Sequence, residues 1–267
     1  DLHSFPTRRS SDLHIARSAH IAFATGLSAF RAARAVWLVQ PDAEALHDAR
    51  VALRRLRTAL AAYEALVRVP FRVKPASIRR LSRRLAPLRD VDVAIQELQL
   101  SGDLCEPELR DRLEQARERV RGDVGPTFHR RGARRWQRAM QRWLRAPAFT
   151  KSAMVDARGA LSARIEQLWP PLDALSGWAI DASDLATAAA EALDELHRLR
   201  RRFRDARYLL ELGSAAGLGE PHLSIAHFQQ LQDGLGGLQD LRVLRDTLVR
   251  EVGPDWAKAA QIGRAHV

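Results

Sequence analysis

The sequence has one cysteine, Cys105, two methionines, three lysines and no long apolar run among its 267 residues. A single thiol can neither close an internal disulfide nor complete a zinc cage, and it makes a reducing cytoplasm the expected compartment. No stretch approaches the ~18 consecutive apolar residues of a membrane helix, so no membrane partner is expected. Fifteen glycines and twelve prolines leave long segments free of both. With 46% hydrophobic and 28% charged residues, the composition excludes collagen-like, low-complexity and disordered classes. The length allows one large domain or two half-size bundles, with room for a sizeable core.

What the chain does have is arginine. Lysine and arginine total 43 against 32 acids, for a net charge of +11, and only Lys74, Lys151 and Lys258 are lysines. The planar fork of the guanidinium matches phosphate and carboxylate oxygens, so the bias fits a polyanionic partner. A GC-rich genome also favours arginine codons, and composition alone leaves the two explanations level.

Residues 1–13 and 262–267 share neither periodicity nor composition with the chain between them. Back-translated, both segments resemble sequencing-library adaptors. They are therefore expected to be artefacts outside the fold, with the reading frame continuing past each. Arg8-Arg9 falls inside the first segment and no apolar signal core follows it directly, which removes the one hint of export.

Segments dense in Ala, Leu, Arg and Glu predict helices over about 14–39, 42–68, 72–100, 106–121, 133–145, 150–169, 183–213 and 222–250. Nothing reads as a strand, so the fold class is all-α. His47–Val93 reappears as His197–Val243 at a constant offset of 150 with no gap. His47, Arg50, Arg54 and Arg57 correspond to His197, Arg200, Arg204 and Arg207. Leu81, Leu85, Leu88, Asp90 and Val93 correspond to Leu231, Leu235, Leu238, Asp240 and Val243. A tandem repeat predicts a pseudo-symmetric pair of helical bundles, 14–146 and 147–261.

At ~100° per residue, His47, Arg50, Arg54 and Arg57 share a stripe about 80° wide, while Leu53, Leu56, Leu60 and Tyr63 face elsewhere. The second copy repeats the stripe, with Leu199, Phe203, Ala206 and Leu210 on the core side. A solvated basic face is the plain alternative for one such helix. Duplication argues against it, and so does sign: from Arg50 to Arg89 there are twelve basic residues and one acid, Glu64. Such a run repels itself unless an anion binds.

A helix reading His-x-x-Arg-x-x-x-Arg-x-x-Arg, followed roughly forty residues later by Leu-Arg-Asp-x-Asp-Val and repeated in the second half, resembles the CHAD family, the conserved-histidine α-helical domain. The motifs are His47–Arg57, Leu88–Val93, His197–Tyr208 and Leu238–Val243, and the resemblance covers residues 14–261. It implies two pseudo-twofold-related antiparallel four-helix bundles around a central basic channel. It also implies non-catalytic binding of inorganic polyphosphate, or another polyphosphorylated anion, and association with polyphosphate granules. Position by position, it assigns the ligand to His47, Arg50, Arg54, Arg57, His197, Arg200, Arg204 and Arg207, with Arg201 beside them. Arg79, Arg80, Arg83, Arg84 and Arg89 are expected secondary contacts by charge and neighbourhood. No catalytic residue, metal or cofactor is expected. Many members of the family carry a CYTH-type triphosphatase domain, whose Glu-x-Glu-x-Lys strand signature does not occur here; such a domain is an expected partner in the parent gene only.

The second copy departs from the first at Gln239, where the first has Arg89, and at Gly234 and Gly236, where the first has Arg84 and Ala86. A less cationic second half is expected. Asp90, Asp92 and Asp240 are expected to pair with channel arginines rather than with a metal. A bound anion favours imidazolium while neighbouring arginines oppose it, so affinity is expected to rise as pH falls through about 7 to 6, near the ordinary histidine value of roughly 6.5.

Two rivals remain. Nucleic-acid binding would use Trp136, Trp143 and Trp169 with Arg134, Arg135, Arg138 and Arg142 as a stacking platform, although helical spacing makes the indoles equally good core anchors. A phosphohydrolase reading rests on His47-Asp48, which superficially resembles an HD pair but lacks recognisable upstream and downstream ligands. His222 and His227, five apart, are poorly placed to share a ligand.

Overall fold

The computed structural model describes residues 10–100, 107–129, 131–172, 174, 177, 190–219 and 225–253. Cys105, His222, residues 1–9 and the segment 262–267 lie outside them. The described residues form α1 (Ser10–Val39), α2 (Ala43–Ala62) followed by a 3₁₀ turn (Tyr63–Ala65), α3 (Pro75–Leu100), α4 (Pro107–His129), α5 (Arg131–Arg145), α6 (Lys151–Val155), α7 (Ala157–Leu168), α8 (Ala190–Ala215), α9 (Ile225–Gly234) and α10 (Gly236–Glu251). Among these residues the only extended pairing is an isolated antiparallel bridge between Val67 and Phe149. The class is all-α. The helices fall into two compact units, each drawn from three stretches of chain.

The first unit takes the described residues of 1–85, 126–170 and 205–225. Asp42 starts α2 by accepting a hydrogen bond from the Ala45 N–H at 2.8 Å, the usual service of an aspartate at a helix start. The apolar face of α2, with Leu46, Leu53, Leu56, Leu60 and then Tyr63, is fully buried. It packs along α1, where Gly26 permits the close approach: a Cβ there would lie 3.1 Å from Leu56 Cδ1. Phe23 of α1 meets Tyr63 edge-on at 5.7 Å and Trp143 of α5 at 5.2 Å. The Tyr63 and Ser18 hydroxyls are hydrogen-bonded at 2.9 Å, which satisfies both inside the core. Arg34 is buried and donates from Nε and Nη2 to the Phe128 carbonyl at 2.9 and 2.6 Å. It thereby caps the last turn of α4, where carbonyls lack helical partners.

The second unit takes the described residues of 86–125, 171–204 and 226–267. Val91, Ala94, Ile95 and Leu98 of α3, Leu109 and Leu113 of α4, and Leu244 and Leu248 of α10 make one apolar cluster. Phe203 of α8 meets Phe228 of α9 at 6.0 Å.

Several predicted boundaries move. The helix expected to end at 121 is α4, and it continues through Gly122, Gly125 and Pro126 to His129. Burial of Val124 and Phe128, with the Arg34 cap, outweighs the poor propensity of those residues. The helix expected over 150–169 breaks at Asp156, whose carboxylate accepts from the Gly159 N–H at 3.0 Å and so starts α7 anew. The helix expected over 222–250 breaks at Leu235, between Gly234 and Gly236. α1 includes Ser10–Leu13, so part of the adaptor-like segment is helical.

Candidate anion-binding site

The two arginine ridges begin from the same local bond. On α2, Arg50 Nη1 donates to the Ser82 carbonyl of α3 at 3.1 Å. On α8, Arg200 Nε donates to the Gln232 carbonyl of α9 at 3.3 Å. Donor and acceptor residues are each offset by 150, so this one contact recurs at the offset read in the sequence. The acceptor stands five residues before Pro87 in the first copy and before Gly237 in the second. Pro87 lies inside α3 and has no N–H to donate, and the second copy breaks at Leu235 nearby. In both copies the arginine therefore grips the helix just ahead of its weak point.

Beside Arg50, the ridge places His47 at the surface and Arg54 and Arg57 half-buried, on the side away from Leu53, Leu56 and Leu60. On α3, Arg79, Arg80, Arg83 and Arg84 are exposed; farther along the same helix, Arg89 is half-buried. Ser82, which receives the Arg50 bond, sits in the middle of the exposed row. The four exposed arginines have no carboxylate partner among the described residues, so their field is not cancelled locally.

In the second unit, His197, Arg200 and Arg204 are half-buried and Arg201 is exposed on α8. His197 Nδ1 is enclosed and has no hydrogen-bond partner among the described residues. Burial is the main cause holding its pKa below the ordinary 6.5; Gln239 beside it acts the other way, while Arg242, Arg201 and Arg200 add to the depression. For His197, the window for gaining charge therefore lies below the one expected from an unperturbed histidine.

Arg207 departs most from its expected role. It belongs to the first unit, where its Nε lies 3.8 Å from Glu211 and its guanidinium stacks 5.0 Å above the Tyr208 ring. Arg55 approaches the same ring at 5.5 Å and the same carboxylate at 3.7 Å. The ring and the acid flank Arg207, but its buried Nε has no hydrogen-bond partner among the described residues, a placement that the helical stripe alone did not show. Leu210, expected in the core with Phe203 and Ala206, is only half-buried; Leu209 is buried in its place.

Of the three motif aspartates, Asp92 has a partner outside both ridges. The buried Asp92 accepts a hydrogen bond from Arg117 Nε of α4 at 2.8 Å, an arginine outside both ridges. Burial raises the Asp92 pKa, and the Arg117 bond opposes that rise. The residue corresponding to Asp92 in the second copy is Arg242, which pairs with Asp194 and Asp246. Among the described residues, no three His, Cys, Asp or Glu side chains meet at metal-binding geometry. Trp136 and Trp143 are buried, the first edge-on to Phe30 at 5.4 Å and the second donating to the Arg68 carbonyl at 3.1 Å. These two indoles are core anchors, and Arg134, Arg135, Arg138 and Arg142 form the exposed face of α5. No helix among the described residues is long and apolar enough to cross a membrane.

A sequence model described as the CHAD domain matches residues 21–249. The chain belongs to the CHAD-domain family. Two solved structures share its fold. The crystal structure of the CHAD domain from the plant Ricinus communis aligns with a TM-score of 0.66 at 21% identity, covering 94% of this chain and 84% of that one. PptA from Streptomyces chartreusis aligns with a TM-score of 0.66 at 14% identity, covering 93% and 92%. No curated protein matches.

Within this CHAD domain the two copies differ in charge at more positions than Arg89 and Arg84 alone. Arg79, Arg80, Arg83 and Arg84 correspond to Gln229, Gln230, Asp233 and Gly234. Gln229 Nε2 donates to both carboxylate oxygens of Asp233, at 2.8 and 2.7 Å. The second copy keeps the ridge and its Arg200 bond but lacks the arginine row beside it.

Proposed function

We propose that this CHAD domain binds inorganic polyphosphate, or a similarly polyphosphorylated anion, without turning it over. The observation that carries the reading is the row Arg79, Arg80, Arg83 and Arg84: exposed, without carboxylate partners among the described residues, and joined to the α2 ridge through Arg50 and Ser82. A flexible chain with about one negative charge per unit needs repeated donors along a path and no base-reading groups. Guanidinium groups in series supply charge-assisted, often bidentate bonds to its non-bridging oxygens. His47, Arg89 and the second ridge, His197, Arg200, Arg201 and Arg204, are the further ligands. Granule association in the cytoplasm is the cellular counterpart of this binding.

The test is titration of long-chain polyphosphate against wild type, Arg54→Glu, Arg204→Glu and the double variant, at fixed salt and with helicity checked by circular dichroism. Each reversal is expected to weaken binding roughly ten-fold or more, the scale of a lost charge-assisted hydrogen bond. Binding in the wild type is expected to fall steeply with salt as counterions are released, by analogy with nucleic acids. Unchanged affinity in a folded double variant, displacement by duplex DNA or RNA at equal phosphate, or phosphate release with or without magnesium would overturn the reading.

A further inference from the structure

A cavity of about 330 Å³ in the first unit is edged by Arg72, Arg80, Arg84 and Arg135. Arg80 and Arg84 lie four residues apart on one face of α3, Arg72 precedes that helix, and Arg135 stands in the second turn of α5. Among the described residues, none of the four has a carboxylate partner and no carboxylate lines the cavity. The first turn of α5 contributes Gly132 to the wall, where an added Cβ would meet nothing within 4 Å. These features call for phosphate.

Inorganic phosphate does not account for the rest of the lining. Phe71 stands at the rim with 81% of its surface exposed, and the buried Trp136 forms part of the wall. The Trp136 indole N–H is enclosed and has no acceptor among the described residues. An exposed phenyl ring beside four guanidiniums without acids fits a ligand that is anionic at one end and flat and apolar at the other. We propose that this cavity is a nucleotide site, taking the phosphates of a nucleoside di- or triphosphate on its arginines and the base against Phe71. The inference does not depend on the polyphosphate reading, although Arg80 and Arg84 would serve both ligands and make them compete.

Calorimetric titration of the full chain with ATP, adenosine and inorganic tripolyphosphate, at ~0.15 M salt to limit long-range effects, tests the proposal. Tripolyphosphate carries the higher charge density, so a site governed by charge alone would prefer it. The expected result is saturable ATP binding at least ten-fold tighter than tripolyphosphate. Phe71→Ala should abolish that preference while leaving tripolyphosphate affinity in place. Arg72→Gln combined with Arg135→Gln should weaken ATP at least ten-fold while long-chain polyphosphate affinity stays within about three-fold. Equal affinity for ATP and tripolyphosphate, an unchanged preference in Phe71→Ala, or absence of ATP binding would overturn the proposal. If ATP behaves as stated and long-chain polyphosphate does not bind, the polyphosphate reading falls and the nucleotide site stands.

Discussion

His197 is a titrating group whose environment sets the direction of a measurable effect. Burial, reinforced by Arg242, Arg201 and Arg200, lowers its pKa in the fold below the ordinary value of 6.5. The unfolded chain therefore binds the proton more readily, so the contribution of His197 to stability is present above about pH 6.5 and is lost as pH falls through the lower folded value. The expected outcome is a melting temperature that declines between pH 7 and 5 by a smaller amount in His197→Gln than in wild type. A bound polyanion favours the imidazolium, so saturating polyphosphate should shrink the decline in wild type and leave the variant's curve parallel. Identical pH curves for the two free proteins would contradict the lowered pKa, and an equal effect of polyphosphate on both would remove His197 from the ligand set. Its partner position, His47, lies at the surface, so the two copies of one motif histidine sit in unlike surroundings.

Helices in this domain are held by close approach in one place and loosened by backbone chemistry in another. Gly26 lets α1 and α2 touch through Leu56, so Gly26→Val should overpack the contact and cost about 1–3 kcal/mol, read as a lower melting temperature. Gly237, near the start of α10, has open space where a Cβ would go, and Gly237→Ala should instead stabilise by ~0.4–1 kcal/mol by reducing the freedom of the unfolded chain. The weak point at Pro87 and the break at Leu235 occupy nearly the same place in the two copies. In both, an arginine from the ridge bonds the carbonyl at the same position ahead of it. That coincidence ties the ridge's orientation to the helix it faces.

Across the whole chain, the net charge of +11 is distributed unevenly between the repeats. Where the first copy has Arg79, Arg80, Arg83 and Arg84, the second has Gln229, Gln230, Asp233 and Gly234. Asp233→Arg removes an exposed acid bonded only to the Gln229 amide among the described residues, and restores the residue type of the first copy. It should tighten polyphosphate binding several-fold and steepen the dependence of log affinity on log salt by roughly 0.7 for each additional phosphate neutralised. The reciprocal Arg83→Asp should do the opposite. Affinities measured over a salt series would decide, and indifference to both changes would contradict a phosphate path along this row.

Helicity, the repeat at an offset of 150, the ridge of His47, Arg50, Arg54 and Arg57 and its counterpart on α8 were legible because helical periodicity and identity at a fixed offset are properties of residue order alone. The core face of α2 followed from the same periodicity, and burial of Leu53, Leu56, Leu60 and Tyr63 agrees with it. What residue order did not contain was the choice among partners distant in the chain. Asp92 bonds Arg117 rather than a ridge arginine, Arg207 lies over the Tyr208 ring beside Glu211, and α4 outruns its glycines because Arg34 and a buried Phe128 hold its end. Packing alone also decided which indoles are buried and gathered Arg72 and Arg135 around the cavity with Arg80 and Arg84. Local order specifies which face of a helix is apolar; only the folded arrangement specifies which charge meets which, because an ion pair depends on distance in space and not on separation along the chain.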